Sequence, residues 1–214
     1  MPGMSKRLAE LAAHRLEAGA RLLRRYAGAP TTAHRTLVLG GVRSGKSRYA
    51  EQLLVDRDDV VFLATGSPPS AGDPDWAARV AAHQARRPAS WRTVETDDLA
   101  ASLRGASGPL LVDCLGTWLS GVLDSVGAWE RQEGWEHRLD DRLADFLDAW
   151  QSLTVPAVAV SNEVGSGVVP GTHAGRVFRD VLGALNTSVA AQSETVLLVV
   201  AGRALELGRK TSAG

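Results

Sequence analysis

Thr36-Leu37-Val38-Leu39-Gly40-Gly41-Val42-Arg43-Ser44-Gly45-Lys46-Ser47-Arg48-Tyr49-Ala50-Glu51 is the stretch from which the rest of the chain is read. A short apolar run rich in β-prone residues is followed by G-x-x-x-x-G-K-S and then by a helix-forming segment. That strand–loop–helix context is what the phosphate-binding P-loop requires. The glycines let backbone N–H groups turn inward around phosphate oxygens. Lys46 supplies a point charge for the β- and γ-phosphates, and the Ser47 hydroxyl can ligate magnesium. The helix that follows points its positive end at the same anion. Gly40, Gly41, Val42, Arg43, Ser44, Gly45, Lys46 and Ser47 are therefore expected to bind a nucleoside triphosphate, ATP or GTP, with Mg2+.

Downstream the pattern alternates. Apolar runs at Val60–Ala64, Leu110–Cys114, Ala157–Ser161 and Val196–Val200 join Thr36–Leu39 as five expected buried strands, each too short to be a helix. Helices are expected at about 46–55, 75–87, 97–104, 128–151 and 173–192. This order predicts an α/β fold, P-loop NTPase-like, with a mostly parallel open sheet and helices on both faces. Ligands of such sheets sit beyond the carboxyl ends of the strands. The run Leu110–Val112 ends there in Asp113, the Walker-B placement of a carboxylate for magnesium. A helix-capping role is the alternative. The adjacent Cys114 reads as a buried strand residue rather than a nucleophile.

Before the sheet, residues 5–26 carry an apolar stripe and six basic residues against Glu10 and Glu17, so an appended N-terminal helix is expected, followed by a linker at 28–32. Residues 1–34 are thus read as a helical extension and 35–214 as the P-loop domain. At 44% apolar residues the domain can bury a core. The zero formal net charge gives no general attraction to nucleic acid. One cysteine precludes an internal disulfide, in keeping with a reducing cytoplasm. Neither a secretory signal nor an integral membrane segment is expected.

Two further clusters carry charge to the same end of the sheet. In Asp75–Pro88, Arg79, His83 and Arg86 share a helical face, with Arg87 and Trp76 beside it. The set can attract phosphate, or else Trp76 and Val80 form a core stripe with His83 at its edge. In Ser161–Pro170, Asn162 and Glu163 end a strand and lead into a glycine-containing loop, and Arg176, Arg179 and Asp180 follow on the next helix. Glu163 can act as a base or hold substrate. Alternatively it caps a turn and Arg179 pairs with Asp180 or Glu163. No Asn-Lys-x-Asp guanine motif is present, which counts against a regulatory GTPase but leaves small-molecule kinases and nucleotidyl transferases open.

Taken in order, Leu39–Glu51, Phe62-Leu63-Ala64-Thr65, Arg79…His83…Arg87-Pro88…Trp91-Arg92-Thr93…Glu95, Leu111–Leu115…Trp118-Leu119, Asn162–Gly165…Gly167…Pro170, Arg176–Asp180…Gly183…Asn186 and Leu198–Gly202 resemble the bifunctional adenosylcobinamide kinase / adenosylcobinamide-phosphate guanylyltransferase family of cobalamin biosynthesis. The resemblance covers about residues 36–207. It implies a cytoplasmic enzyme that phosphorylates the aminopropanol hydroxyl of adenosylcobinamide and then transfers GMP from GTP to the new phosphate through a GMP–histidine intermediate. The family's histidine falls on His83, which with Lys46 is the expected catalytic pair. Thr65, Gln84, Arg86, Arg87, Glu95 and Asp113 become nucleotide contacts, with Ser47 and Asp113 on magnesium. Asn162, Glu163, Arg176 and Arg179 are the expected contacts to the corrinoid. A homo-oligomer, a trimer, is also implied. The alternatives at this stage are another small-molecule P-loop kinase without a histidine adduct and a GTP-dependent regulatory module.

Overall fold

The computed structural model describes residues 34–66, 78 and 85–208. Among them, seven strands form one sheet: β1 (Arg35–Gly40), β2 (Val61–Ala64), β3 (Arg92–Glu95), β4 (Leu110–Asp113), β5 (Ala157–Asn162), β6 (Thr195–Val200) and β7 (Arg203–Glu206). Their order across the sheet is β3-β2-β4-β5-β1-β6-β7. Every pairing is parallel except the β6–β7 hairpin. The five expected strands are present, and the two that sequence reading did not anticipate lie at the edges. Both are short and largely exposed, with polar sequences RTVE and RALE, so they lack the buried apolar run that betrays a central strand.

Alternation along the strands divides the interior in two. Leu37 and Leu39 of β1 face one side and Val38 the other, because successive strand side chains point to opposite faces. The larger core is covered by α2 (Leu99–Arg104), α3 (Leu115–Ser125), α4 (Trp135–Gln151) and α5 (His173–Ala191). Trp118 of α3 and Phe146 of α4 meet there with ring centroids 4.7 Å apart. The smaller core holds Val38, Phe62, Leu111, Val160 and Val199 against Ala50 of α1 (Lys46–Leu53) and Trp91. Helical cover on both faces is thus observed.

Two helical expectations need correction. Helix α3 was not anticipated, and Cys114 is its N-cap rather than a strand residue. The signal was present: Leu115, Trp118, Leu119, Val122 and Leu123 recur at helical spacing and are all buried, but Gly116 and Gly121 masked it. The helix expected from 128 begins only at Trp135, because Arg131 and Gly134 hold left-handed backbone at φ 54° and 74°. Of the helix expected at 75–87, Ala78, Ala85 and Arg86 are helical, while Trp76, Arg79, Val80, His83 and Gln84 lie outside the described residues. The N-terminal helix at 5–26, its linker, and most of the Gly66–Gly72 loop lie outside them as well.

Candidate active site

The end of β1 is shaped for a phosphate. Arg43 and Gly45 both take positive φ, 57° and 93°, so consecutive N–H groups are turned toward one concavity. Glycine is required at two places for different reasons. A side chain at Gly40 would press on the Ser44 hydroxyl and approach the Val199 carbonyl to 2.7 Å. At Gly45 the left-handed backbone, φ 93°, costs glycine little and strains any residue with a side chain. Gly41, by contrast, has open space around it. Lys46 heads α1, and its Nζ donates to the Gly41 carbonyl at 3.2 Å across the mouth of the loop.

Neighbouring elements hold this loop. On the β5 side the Glu163 N–H donates to the Gly40 carbonyl at 3.1 Å. On the β6 side the two-residue turn Ala201-Gly202 has φ values of 50° and 74°, and the Gly202 N–H donates to the Ser44 carbonyl at 2.8 Å. Sequence reading missed this last contact. The one local trace is the Ala201-Gly202 dipeptide after the apolar run, a turn signal that marks neither the exposed strand beyond it nor Ser44.

The strand register sets the other groups. Glu95, Ala64, Asp113, Val160 and Val38 form one row across β3, β2, β4, β5 and β1. With strands about 4.8 Å apart, Asp113 lies roughly 10 Å across the sheet from β1, on the strand beyond β5. Its charge and that of Lys46 nevertheless act on a common neighbour. Burial pushes the Cys114 thiol up, Asp113 adds to that rise, and hydrogen bonding with Thr117 and the positive charge of Lys46 oppose it. Lys46 heads α1 just beyond β1 and Asp113 ends β4, so both stand at the carboxyl end of the parallel strands, where the phosphate cradle opens. Thr65, one residue past β2, both donates to the Cys114 carbonyl at 2.7 Å and accepts from its N–H at 3.0 Å, so its hydroxyl fastens β2 to the start of α3.

The arginines are engaged with the protein. Arg86 makes a two-pronged pair with Glu51 of α1, at 3.2 and 3.3 Å. Arg87 lies over the Phe62 ring at 3.5 Å and donates to Thr93 Oγ1 at 2.8 Å. Burial lowers its pKa from the usual arginine value, while Glu51 and Asp113 work against that shift. Arg86 is thus tied to α1, the helix that Lys46 begins, while Arg87 is tied to β2 and β3 through Phe62 and Thr93. Glu51 was not singled out from the sequence, since its partner lies 35 residues away.

Of the expected substrate contacts, Asn162 accepts from Cys114 Sγ through Oδ1 at 3.5 Å, and its carbonyl accepts from Asn186 at 3.0 Å. Glu163 Oε1 accepts from the Gly165 N–H at 2.7 Å and from the Ser166 hydroxyl. Arg176 donates to the Pro170 and Gly171 carbonyls at 3.0 and 2.8 Å. Arg179 pairs with Asp180 at 2.8 Å. Asn162 and Glu163 lie beside the P-loop at the end of β5, while Arg176 and Arg179 follow on α5.

A P-loop on β1, a strand-end Asp113 and the Glu163 loop on the intervening strand therefore share one end of the sheet. The family described as cobinamide kinase / cobinamide phosphate guanyltransferase matches residues 36–207. The chain belongs to this family. It is 37% identical over 175 residues to the bifunctional adenosylcobalamin biosynthesis protein CobU of Salmonella typhimurium, covering 78% of this chain and 95% of that protein. To the protein CobP of Pseudomonas aeruginosa, described in the same words, it is 40% identical over 178 residues, covering 81% and 96%. Among solved structures, a prototypical ATPase of a bacterial type III secretion system superposes with a TM-score of 0.50 at 16% identity, over 78% of this chain. The chain spans about half of that structure, 51%, and the likeness is one of fold. No helix among the described residues is long and apolar enough to cross a membrane.

Proposed function

We propose that this enzyme phosphorylates the hydroxyl of adenosylcobinamide with ATP or GTP and then transfers GMP from GTP to the phosphate it has made. What carries the reading is the family match over residues 36–207, which contains the P-loop and every other group at the carboxyl end of the sheet. In the first step the N–H groups of Gly41–Ser47 cradle the β- and γ-phosphates and Lys46 balances the charge moving onto the leaving oxygen. The hard oxygen donors Ser47 and Asp113 suit Mg2+, which keeps most of its waters and takes only one or two protein ligands. When bound, the ion would neutralise phosphate charge between the nucleotide and the carboxylate.

The second step falls to His83. Its neutral imidazole attacks the α-phosphorus of GTP, a P–N bond forms, the bond to the bridging oxygen breaks, and pyrophosphate leaves. A phosphate oxygen of the acceptor then attacks the same phosphorus and displaces the imidazole, which gives adenosylcobinamide-GDP. The Arg86–Glu51 pair supports this assignment by tying the segment three residues beyond His83 to the P-loop helix. Residues 1–34 lie outside the family match, so the chemistry belongs to 35–214. The protein would act as a homotrimer in the cytoplasm.

The discriminating experiment is covalent labelling. Incubation with α-labelled GTP should give an adduct that breaks in acid and survives base. His83→Ala should lose both the label and GMP transfer while still phosphorylating adenosylcobinamide. Label arising from the γ-phosphate, or persisting in His83→Ala, rules the assignment out.

A further inference from the structure

The loop that follows β5 begins against the P-loop, through the Glu163-to-Gly40 hydrogen bond of 3.1 Å. It is braced at both ends. Glu163 Oε1 holds the Gly165 N–H and the Ser166 hydroxyl at the near end. At the far end Arg176 holds the Pro170 and Gly171 carbonyls, and Thr172 caps α5 by accepting from the Gly175 N–H at 3.1 Å. Between the braces stand Val168 and Val169, 95% and 60% exposed. A lone exposed valine is ordinary. Here two adjacent ones stand on a loop held at both ends, and Val42, 83% exposed, lies in the P-loop on the adjoining strand. The opposite flank of the P-loop is taken by the Ala201-Gly202 turn. The Val168–Val169 loop flanks it on the β5 side, toward β4 and Asp113.

We propose that Val168 and Val169 form an apolar shelf for the macrocycle of the corrinoid acceptor and so set the enzyme's preference for that large substrate. The inference rests on the kinase reading above. The hydroxyl to be phosphorylated ends a short arm of the corrinoid. With that hydroxyl at the γ-phosphate, the ring and its methyl-bearing edge must lie within the arm's reach of the P-loop. Contacts to this remote part of the substrate are what hold the hydroxyl in line. Valines on a braced loop supply them without the ordering cost of a loose one.

The test is a comparison of Val168→Asp/Val169→Asp and the milder Val168→Ala/Val169→Ala with the unaltered full chain. KM for adenosylcobinamide and KM for ATP are measured with magnesium present, together with the dissociation constant for adenosylcobinamide by titration calorimetry. Losing most of a buried valine contact corresponds to roughly tenfold in affinity. The aspartate pair should raise the corrinoid KM and dissociation constant by about two orders of magnitude, the alanine pair by less, with KM for ATP unmoved. Unchanged corrinoid binding in the aspartate pair, with the unaltered enzyme active, overturns the shelf and leaves the kinase reading standing. A parallel rise in KM for ATP overturns it too, by showing a general disturbance of the loop. Failure of the unaltered enzyme to phosphorylate adenosylcobinamide removes both.

Discussion

At the amino end of β1, Arg35 is held on every side. Its N–H and guanidinium bond Glu194 at 2.6 and 2.7 Å, and its Nη1 donates to the Trp150 and Gln151 carbonyls at the end of α4. Those carbonyls end the helix, where Trp150 otherwise accepts only a long bond from the Leu153 N–H at 3.4 Å, and a cation there is favoured by the helix dipole as well. Five residues later, at the carboxyl end, the same strand runs into an exposed loop with left-handed backbone at two positions, and the ammonium of Lys46 is bonded at 3.2 Å to a loop carbonyl. One end of the strand satisfies its polar groups within the protein. The other presents them to a ligand. Stability and chemistry are thereby separated along a single strand, and mutations at the two ends should separate in the same way.

The largest effect should come from the open end. Lys46→Ala removes the charge nearest the transferring phosphoryl group, and adenosylcobinamide phosphorylation should fall by at least about 10²-fold, the scale of one lost electrostatic stabiliser. Its urea midpoint should match that of the unaltered protein. A stable, folded Lys46→Ala with full turnover would remove the P-loop from the mechanism.

At the closed end Arg35→Ala should behave inversely. It removes the guanidinium bonds to Glu194 and to the two helix-end carbonyls while the backbone N–H to Glu194 remains, at a cost of about 2 kcal/mol for hydrogen bonds to a charged group. The Arg35 and Glu194 side chains are 17% and 30% exposed, so solvent can replace only part of what is lost. The expected result is a lower urea midpoint with kcat of the folded enzyme unchanged. A fall in kcat at constant midpoint would show that the two ends of the strand are coupled.

The same contrast explains what could be read from sequence. The central strands and the P-loop were legible because each leaves a local trace: a buried apolar run, or G-x-x-x-x-G-K-S. Asp113 and Glu163 were legible as strand-end carboxylates. The edge strands β3 and β7 were not, since an exposed strand needs no apolar run. Nor were the partners that shape the site. Arg86 and Arg87 read as phosphate ligands, but Glu51, Phe62 and Thr93 engage them through contacts that only the folded sheet creates. The pairing of Gly202 with Ser44 joins residues 158 positions apart, so the local sequence of neither could announce it.

Asp113→Asn tests the open end more gently. The amide keeps the shape of the carboxylate but does not balance a cation. At fixed ATP the magnesium concentration for half-maximal activity should rise about tenfold, a loss of roughly 1.4 kcal/mol. Nucleotide binding measured without metal should hardly change. An unaltered magnesium requirement would demote Asp113 to a capping role.

The smallest effect is a pH dependence confined to the closed end. Burial pushes the Glu194 carboxyl up, but the hydrogen bonds from Arg35 outweigh it and hold the group below its ordinary range. A carboxyl depressed in the folded state contributes stability above its unfolded value, about 4.3 for glutamate, and loses that contribution as pH falls through the folded value. Other carboxylates titrate in the same range, so the informative quantity is the difference between the unaltered protein and Glu194→Gln. Glutamine is neutral at every pH and resembles the protonated glutamic acid. The gap in urea midpoint should be widest near neutrality and should narrow below about pH 4, as the unaltered protein comes to carry the same neutral group. Activity at pH 7 should be equal in the two proteins, because Glu194 lies at the far end of β1 from the phosphate cradle. A gap that stays constant down to pH 3 would mean that Glu194 acts through packing rather than through its charge.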